Sequence, residues 1–254
     1  MDLPVSPSPR LDGRHALVTG AGRGIGVAIA TALAELGAHV HLAARSAAEV
    51  EEVASAVRAR GWQASALPLD VTDVAAVQAA VDALPVLSVL VNNAGTNRPK
   101  PLAEVTLDDF DAVFGLNVRA LYVVTQAVVR RMLAAGAGGS VINISSQMGH
   151  VGGPNRTLYC GSKHAVEGIT KALAVELGPH GIRVNSIAPT FIETAMTRPY
   201  FAVPGFLDQV LAKIPQGRLG RVEDIMGAVA YLASDASALV TGTSLLVDGG
   251  WTAQ

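Results

Sequence analysis

The sequence predicts an α/β fold in one domain: a doubly wound parallel sheet of about seven strands with helices on both faces. Three observations carry this expectation. Short β-branched apolar runs alternate with amphipathic stretches of helical period from residue 15 to the end. Half of the 254 residues are hydrophobic and only 16% are charged, enough to cover a sheet on both sides. No linker or compositional break interrupts the rhythm.

Residues 1–10 are rich in proline and serine without periodicity and read as a flexible tail, so the domain is expected to span 11–254. Strand–helix pairs follow at 15–19 and 25–36, 39–43 and 47–60, and 64–69 and 74–84, then a strand at 86–91. Helices over 107–135, a strand at 140–144, a helix at 157–177 and a strand at 183–187 continue the pattern. A helix at 222–233 and a strand at 244–247 close it. The stretch 194–215 holds three prolines, two phenylalanines and a tyrosine, and is too irregular for an ordinary crossover. A loop of that length reads as a substrate lid.

The bulk numbers exclude some classes. A formal net charge of -2 supports neither a nucleic-acid nor an anionic-membrane partner. Neither a secretory signal nor an uninterrupted apolar run of spanning length is evident. The single cysteine, Cys160, forbids an internal disulfide and suits a reducing compartment, so the expected location is cytoplasmic. His39 and His41 alternate on one strand, but no third ligand has metal-like spacing, and no metal is expected.

Two motifs bear chemistry. Thr19-Gly20-Ala21-Gly22-Arg23-Gly24-Ile25-Gly26 follows the first strand and opens the first helix. There Gly20 permits a tight turn, Gly24 lets the backbone approach a pyrophosphate, and Gly26 allows close packing of helix and strand. The helix terminus at Ile25 then offers free N–H groups to phosphates. The second motif is Tyr159-Cys160-Gly161-Ser162-Lys163, whose spacing of four sets phenol and ammonium on one helix face. A phenol ionises near pH 10, so its use as a base at neutral pH requires about 4 kcal/mol of phenolate stabilisation. A fixed cation within about 4 Å offers an interaction of that order.

The G-x-x-x-G-x-G spacing of Gly20, Gly24 and Gly26 resembles that of the short-chain dehydrogenase/reductases, and Tyr159-x-x-x-Lys163 is similar to that family's catalytic pair. Further marks are Asn92-Asn93-Ala94-Gly95, Asn117, Ser146 thirteen residues before Tyr159, and Val247-Asp248-Gly249-Gly250. The resemblance implies a Rossmann-type domain with Tyr159 as general acid/base and Lys163 lowering its pKa while binding the nicotinamide ribose. It implies that Ser146 holds the substrate oxygen, a role for which only the family spacing prefers it to Ser145, and that Asn117 completes a proton relay. It also implies a dinucleotide site at Asn93, Ala94, Gly95, Asp70 and Val71, with Pro189, Thr190, Ile192 and Thr194 against the nicotinamide. Thr190 departs from the family's usual glycine. Asp70 is alternatively a cap for the helix beginning near Asp73.

The second strand lacks the acid that selects NAD by binding the adenosine 2′-OH; none occurs until Glu49. Arg45 and Arg23 suit a 2′-phosphate instead, which favours NADP over NAD. The expected reaction is the interconversion of a secondary alcohol and a ketone in a small molecule. Gln147, Asn155 and Met196 are the expected substrate contacts beside Ser146 and Tyr159. Tyr200, Phe201 and Phe206 either line a pocket or form a small lid core. The likeness to members acting on sugars, sugar acids or polyols competes with a 3-oxoacyl-thioester reductase and, from another class, a non-catalytic dinucleotide-binding regulator. Small and apolar residues on several faces of 116–132 and 159–177 suggest subunit contacts, and the family's common form implies a homotetramer.

Overall fold

All strands of the sheet run parallel, and helical crossovers bring the chain back to the same end each time. The computed structural model describes residues 1 and 3–253; Asp2 of the expected tail and Gln254 of the expected domain lie outside the described residues. The first half comprises β1 (His15–Thr19), α1 (Ile25–Glu35), β2 (His39–Ala44), α2 (Ala47–Ala59), β3 (Ala64–Pro68), α3 (Val74–Ala83) and β4 (Val89–Asn92). The second comprises α4 (Leu107–Phe114), α5 (Leu121–Ala134), β5 (Gly139–Ile144), α6 (Thr157–Leu177), β6 (Ile182–Pro189), α7 (Arg198–Phe201), α8 (Phe206–Leu211), α9 (Glu223–Ala233) and β7 (Ser244–Val247). The sheet has the order β3-β2-β1-β4-β5-β6-β7. The strand sequence therefore reverses between β1 and β4, and a crevice opens there beyond the carboxyl ends of the strands.

Alternation along each strand feeds two cores. Val18, Val40, Leu42, Val91 and Ile142 face Ile29 and Leu33 of α1, Val50 of α2 and Ile225 of α9. Leu17, Leu90, Val141 and Val184 face Val77 of α3, Val124 and Met132 of α5, and Leu177 of α6. Leu11 is fully buried and its N–H bonds Leu36 O, so ordered packing begins where the tail was expected to end.

Several boundaries differ from expectation for local reasons. β4 starts at Val89 rather than 86 because its partner β1 begins at His15, and Ser88 N–H donates to the His15 carbonyl as the first rung. The helix expected over 107–135 is one apolar run, Leu107–Ala134, long and apolar enough to cross a membrane by composition, yet half buried. Its centre, Gly115–Ala120, is a π-helical turn containing Asn117, a distortion that concentrates at functional sites. The 194–215 stretch is not wholly irregular. It folds α7 on Pro199 in its first turn, then α8 after Gly205, which takes φ +75°.

α6 buries a stripe made of Lys163, Val166, Glu167, Thr170, Ala174 and Leu177. Ile169 and Leu173 are half-buried beside it. The inward face thus carries a cation and a carboxylate, each of which needs a partner.

Candidate active site

The glycine turn lies at the switch point. Gly20 and Gly24 have φ of +66° and +57°, and a Cβ on Gly26 would stand 2.1 Å from the Gly20 carbonyl oxygen. Only glycine fits this path. Thr19 and Asn93 brace it from β1 and β4. The Thr19 hydroxyl accepts from the N–H groups of Asn93 (3.0 Å) and Ala94 (3.1 Å), and Asn93 Nδ2 donates to Thr19 O and Gly20 O, both at 3.0 Å. α1 has no side-chain cap and no acid in its first turn, so its N-terminal donors suit an anion. The methyl of Thr194, where the lid begins, lies 3.5 Å from the position of a Gly24 Cβ.

At the adenosine end, Arg23 and Arg45 are exposed. Asp70 accepts from Thr72 N (2.9 Å) and Thr72 Oγ1 (2.7 Å), bonds that with the Arg45 charge hold its carboxyl below the usual range. Asp70 is not the cap of the next helix; Asp73 is, accepting from Ala76 N at 3.0 Å. Val71 is buried beside it. Glu49, too distant in sequence to replace the missing acid, reaches back so that its Oε2 lies 2.8 Å from where a Gly22 Cβ would stand.

At the nicotinamide end, Thr190 N–H donates to Val247 O at 3.2 Å, while Thr190 Oγ1 is buried without a partner. Ile192 is buried, pairing with Gly220 through an isolated bridge. Pro189 ends β6 just before them. The glycine cradle and this orphaned hydroxyl fit a bound nicotinamide dinucleotide.

Tyr159 and Lys163 sit on the inner side of α6. Lys163 Nζ lies 5.7 Å from the Tyr159 ring centroid and donates to Ile144 O at 2.8 Å. Burial pushes the phenol above its ordinary value, opposed by a hydrogen bond with Ser146 and by the charge of Arg156. The Lys163 ammonium is directed to the Ile144 carbonyl, and burial pulls it down to about 8. A phenol that keeps its proton is set to act as an acid.

Ser146 is buried, donates to Gln147 Oε1 at 2.7 Å and accepts from Met148 N at 3.1 Å. Ser145 Oγ is buried without a partner, whereas Ser146 is the serine that acts on the phenol. Asn117 Oδ1 accepts from Thr96 N at 2.8 Å, and its Nδ2 donates to Thr96 O and Ser162 Oγ. Its amide is thus a clamp rather than a direct partner of Lys163. A Cβ on Gly95 would lie 3.3 Å from that Oδ1 and 3.8 Å from Lys163 Nζ, so glycine keeps the two groups on one space. Asn155 is exposed at φ 59°, a left-handed conformation that asparagine tolerates, and Met196 is 55% exposed on the lid. Neither is drawn into the buried centre formed by Ser146, Gln147 and Lys163.

Three site features escaped the sequence reading. Glu167, one turn beyond Lys163, is 5% exposed and raises the lysine's pKa; the repeated spacing of four was the available signal. Phe191 joins Phe201, Phe206 and Trp251 in an aromatic cluster under the lid, with ring centroids 5.7–6.2 Å apart. Tyr200 packs on Phe206, so these residues make a lid core. Arg156 lies over Phe191. Away from the site, His41 stacks on both His15 and His39, which are tilted to each other by 30°. Among the described residues no group of three or more His, Cys, Asp or Glu is arranged to hold a metal.

A doubly wound sheet with a phosphate cradle at its switch point and a tyrosine–lysine helix beside it defines an oxidoreductase of the nicotinamide-dinucleotide class. The sequence matches a family described as enoyl-(acyl carrier protein) reductase over residues 20–252. It is 39% identical to D-erythrulose reductase of Gallus gallus over 97% of this chain and 99% of that protein. The structure of a gluconate 5-dehydrogenase from Burkholderia cenocepacia, in complex with NADP and tartrate, superposes with a TM-score of 0.93 at 38% identity, covering 97% and 98% of the two chains. A short-chain type dehydrogenase/reductase from Mycobacterium marinum gives 0.92 at 37% identity over the same shares. The chain belongs to the short-chain dehydrogenase/reductase family, and it is an oxidoreductase acting on CH–OH groups.

Proposed function

We propose that residues 11–254 form one domain that interconverts a secondary alcohol and a ketone on a polyhydroxylated substrate, with NADP preferred to NAD and 194–215 as the lid. The observation that carries this reading is the meeting of Ser146, Tyr159 and Lys163 on one buried face beside Gly95. Gly20, Gly24, Ile25 and Gly26 would hold the pyrophosphate, and Arg23 and Arg45 the 2′-phosphate. Asp70 and Val71 would flank the adenine, and Asn93, Ala94 and Gly95 the adenine-side ribose. Pro189, Thr190, Ile192 and Thr194 would flank the nicotinamide, which supplies or accepts the hydride. The names of the relatives, an erythrulose reductase and a gluconate dehydrogenase, support a sugar, sugar acid or polyol.

In reduction, Tyr159 donates its proton to the carbonyl oxygen as that oxygen gains negative charge. Ser146 turns from Gln147 to the same oxygen as a second donor, leaving the Gln147 amide for a neighbouring hydroxyl. Lys163 and the Asn117 clamp then hold the path by which Tyr159 is reprotonated. Oxidation runs the same path backward. Substituting Tyr159→Phe should lower turnover at least about 100-fold while dinucleotide binding persists; unchanged turnover would refute the mechanism.

A second reading, reduction of a 3-oxoacyl thioester, draws support from the 41% identity to a 3-oxoacyl-(acyl-carrier-protein) reductase of Pseudomonas aeruginosa. A panel of ketoses, keto acids, polyols and 3-oxo esters, followed by absorbance of the reduced nicotinamide, separates the two. The further reading is of a cytoplasmic homotetramer, supported by the exposed apolar side chains Phe110, Tyr122 and Val175 on α4, α5 and α6. Light scattering after size exclusion that returns only a monomer would exclude it.

A further inference from the structure

Arg156 is the residue immediately before α6 and three before Tyr159. Its guanidinium carbon lies 5.8 Å from the centroid of the Phe191 ring, and its stem passes Gly153, with Cδ 3.6 Å from where a Gly153 Cβ would stand. Phe191 is in turn fixed by Phe201, Phe206 and Trp251. Other arginines of this chain, among them Arg14, Arg98, Arg198 and Arg218, are paired with a carboxylate. Among the described residues the Arg156 guanidinium makes no hydrogen bond or ion pair, although the residue is half-buried and its charge acts on the Tyr159 phenol.

A guanidinium laid on an aromatic ring keeps its in-plane N–H donors free, and their fork matches a carboxylate. A half-buried guanidinium without a protein partner is completed when a ligand of opposite charge meets it. The charge also acts on the group that transfers the proton, which Ser146, itself bonded to Gln147, acts on as well.

We propose that Arg156 is the carboxylate-binding residue of the substrate pocket, and that the substrates are polyhydroxy acids and their keto forms rather than neutral ketoses, polyols or acyl thioesters. This rests on the oxidoreductase reading and adds the anionic class of its substrate. The carboxylate is held and takes no part in bond making; hydride and proton move only at the carbinol carbon and its oxygen.

The test compares wild type, Arg156→Lys and Arg156→Leu with a ketogluconate, a neutral ketose and a ketose phosphate. The wild type should favour the keto acid over the other two by at least about tenfold in kcat/KM. Arg156→Leu should lower kcat/KM for the keto acid about 30-fold, mainly through KM, the loss expected for a charged hydrogen-bonded pair. On the neutral ketose, where only the charge beside the Tyr159 phenol is withdrawn, the loss should be several times smaller, and Arg156→Lys should retain part of the keto-acid activity. Equal losses on acid and neutral substrates, or a wild-type preference for the neutral ketose or the phosphate, would overturn the assignment. Calorimetric binding of gluconate separates the two levels of inference. If no substrate turns over, the oxidoreductase reading fails, while gluconate binding that is lost in Arg156→Leu still supports the carboxylate site and binding that persists refutes it.

Discussion

The Glu167 carboxylate accepts a hydrogen bond from Ser186 at 2.8 Å, one helical turn beyond Lys163. Ser244 donates to its other oxygen at 3.1 Å, and His150 Nε2 lies 3.4 Å from that same atom. The field of this buried carboxylate supports the charge on Lys163 against burial.

Glu167→Gln therefore removes a negative charge that raises the Lys163 pKa, in a lysine already down at about 8. Less of the lysine is charged just above neutrality, so the alkaline limb of the rate profile should move to lower pH. Turnover near pH 8 should fall about two- to tenfold, the loss of roughly 0.5–1.4 kcal/mol of charge stabilisation. A profile superimposable on wild type would show that Glu167 only anchors the helix to β6 and β7.

The direction of proton transfer has its own pH dependence. The Tyr159 phenol is raised by burial, so in the free enzyme it carries its proton through neutral pH and above. Reduction needs that proton and should proceed at neutral pH, whereas oxidation needs the phenolate and should accelerate as pH rises. Initial rates in both directions from pH 6 to 10 check this; an oxidation rate flat with pH would contradict it.

Arg23→Ala and Arg45→Ala should each weaken NADP binding about tenfold or more and leave NAD within about twofold, since each removes a charged contact that only a 2′-phosphate meets. Glu49→Gln should act in the opposite sense, strengthening NADP by removing a carboxylate held against Gly22. Equilibrium titration of each dinucleotide by fluorescence measures these effects without turnover. Equal effects on both cofactors would place the two arginines outside the 2′ site.

The histidine stack should govern acid stability. His41 is buried and pushed down to about 4 by desolvation and by the charges of His39 and His15. With an unfolded value near 6.5, the unfolded chain binds the proton first. The stabilisation is complete above about pH 6.5 and is lost as pH falls toward 4, on the order of 3 kcal/mol. Urea unfolding at pH 7 and pH 5 should show a smaller loss for His41→Leu than for wild type. Identical losses would assign acid lability elsewhere.

Local physics made most of the frame readable. Alternating β-branched runs and helical periods are properties of the chain itself, and they imply a parallel sheet wherever both faces must be buried. The positive φ at Gly20 and Gly24 and the spacing of Tyr159 and Lys163 are likewise short-range, which is why the cradle and the pair were visible as motifs. Boundaries were less readable because a strand begins where its neighbour offers a partner, as His15 does for Ser88.

The sequence by itself determined the class of fold, the phosphate turn and the residues among which a proton can move. Tertiary structure alone decided how they are charged and what faces them. Burial holds the proton on Tyr159 and draws Lys163 to about 8, while Glu167 opposes the second effect. Folding returns Glu49 to Gly22 and lays Arg156 on Phe191, 35 positions later in the chain. The reason is physical: desolvation and Coulomb interaction depend on distances through space, and residues far apart in the chain acquire those distances only when the sheet and its crossovers close.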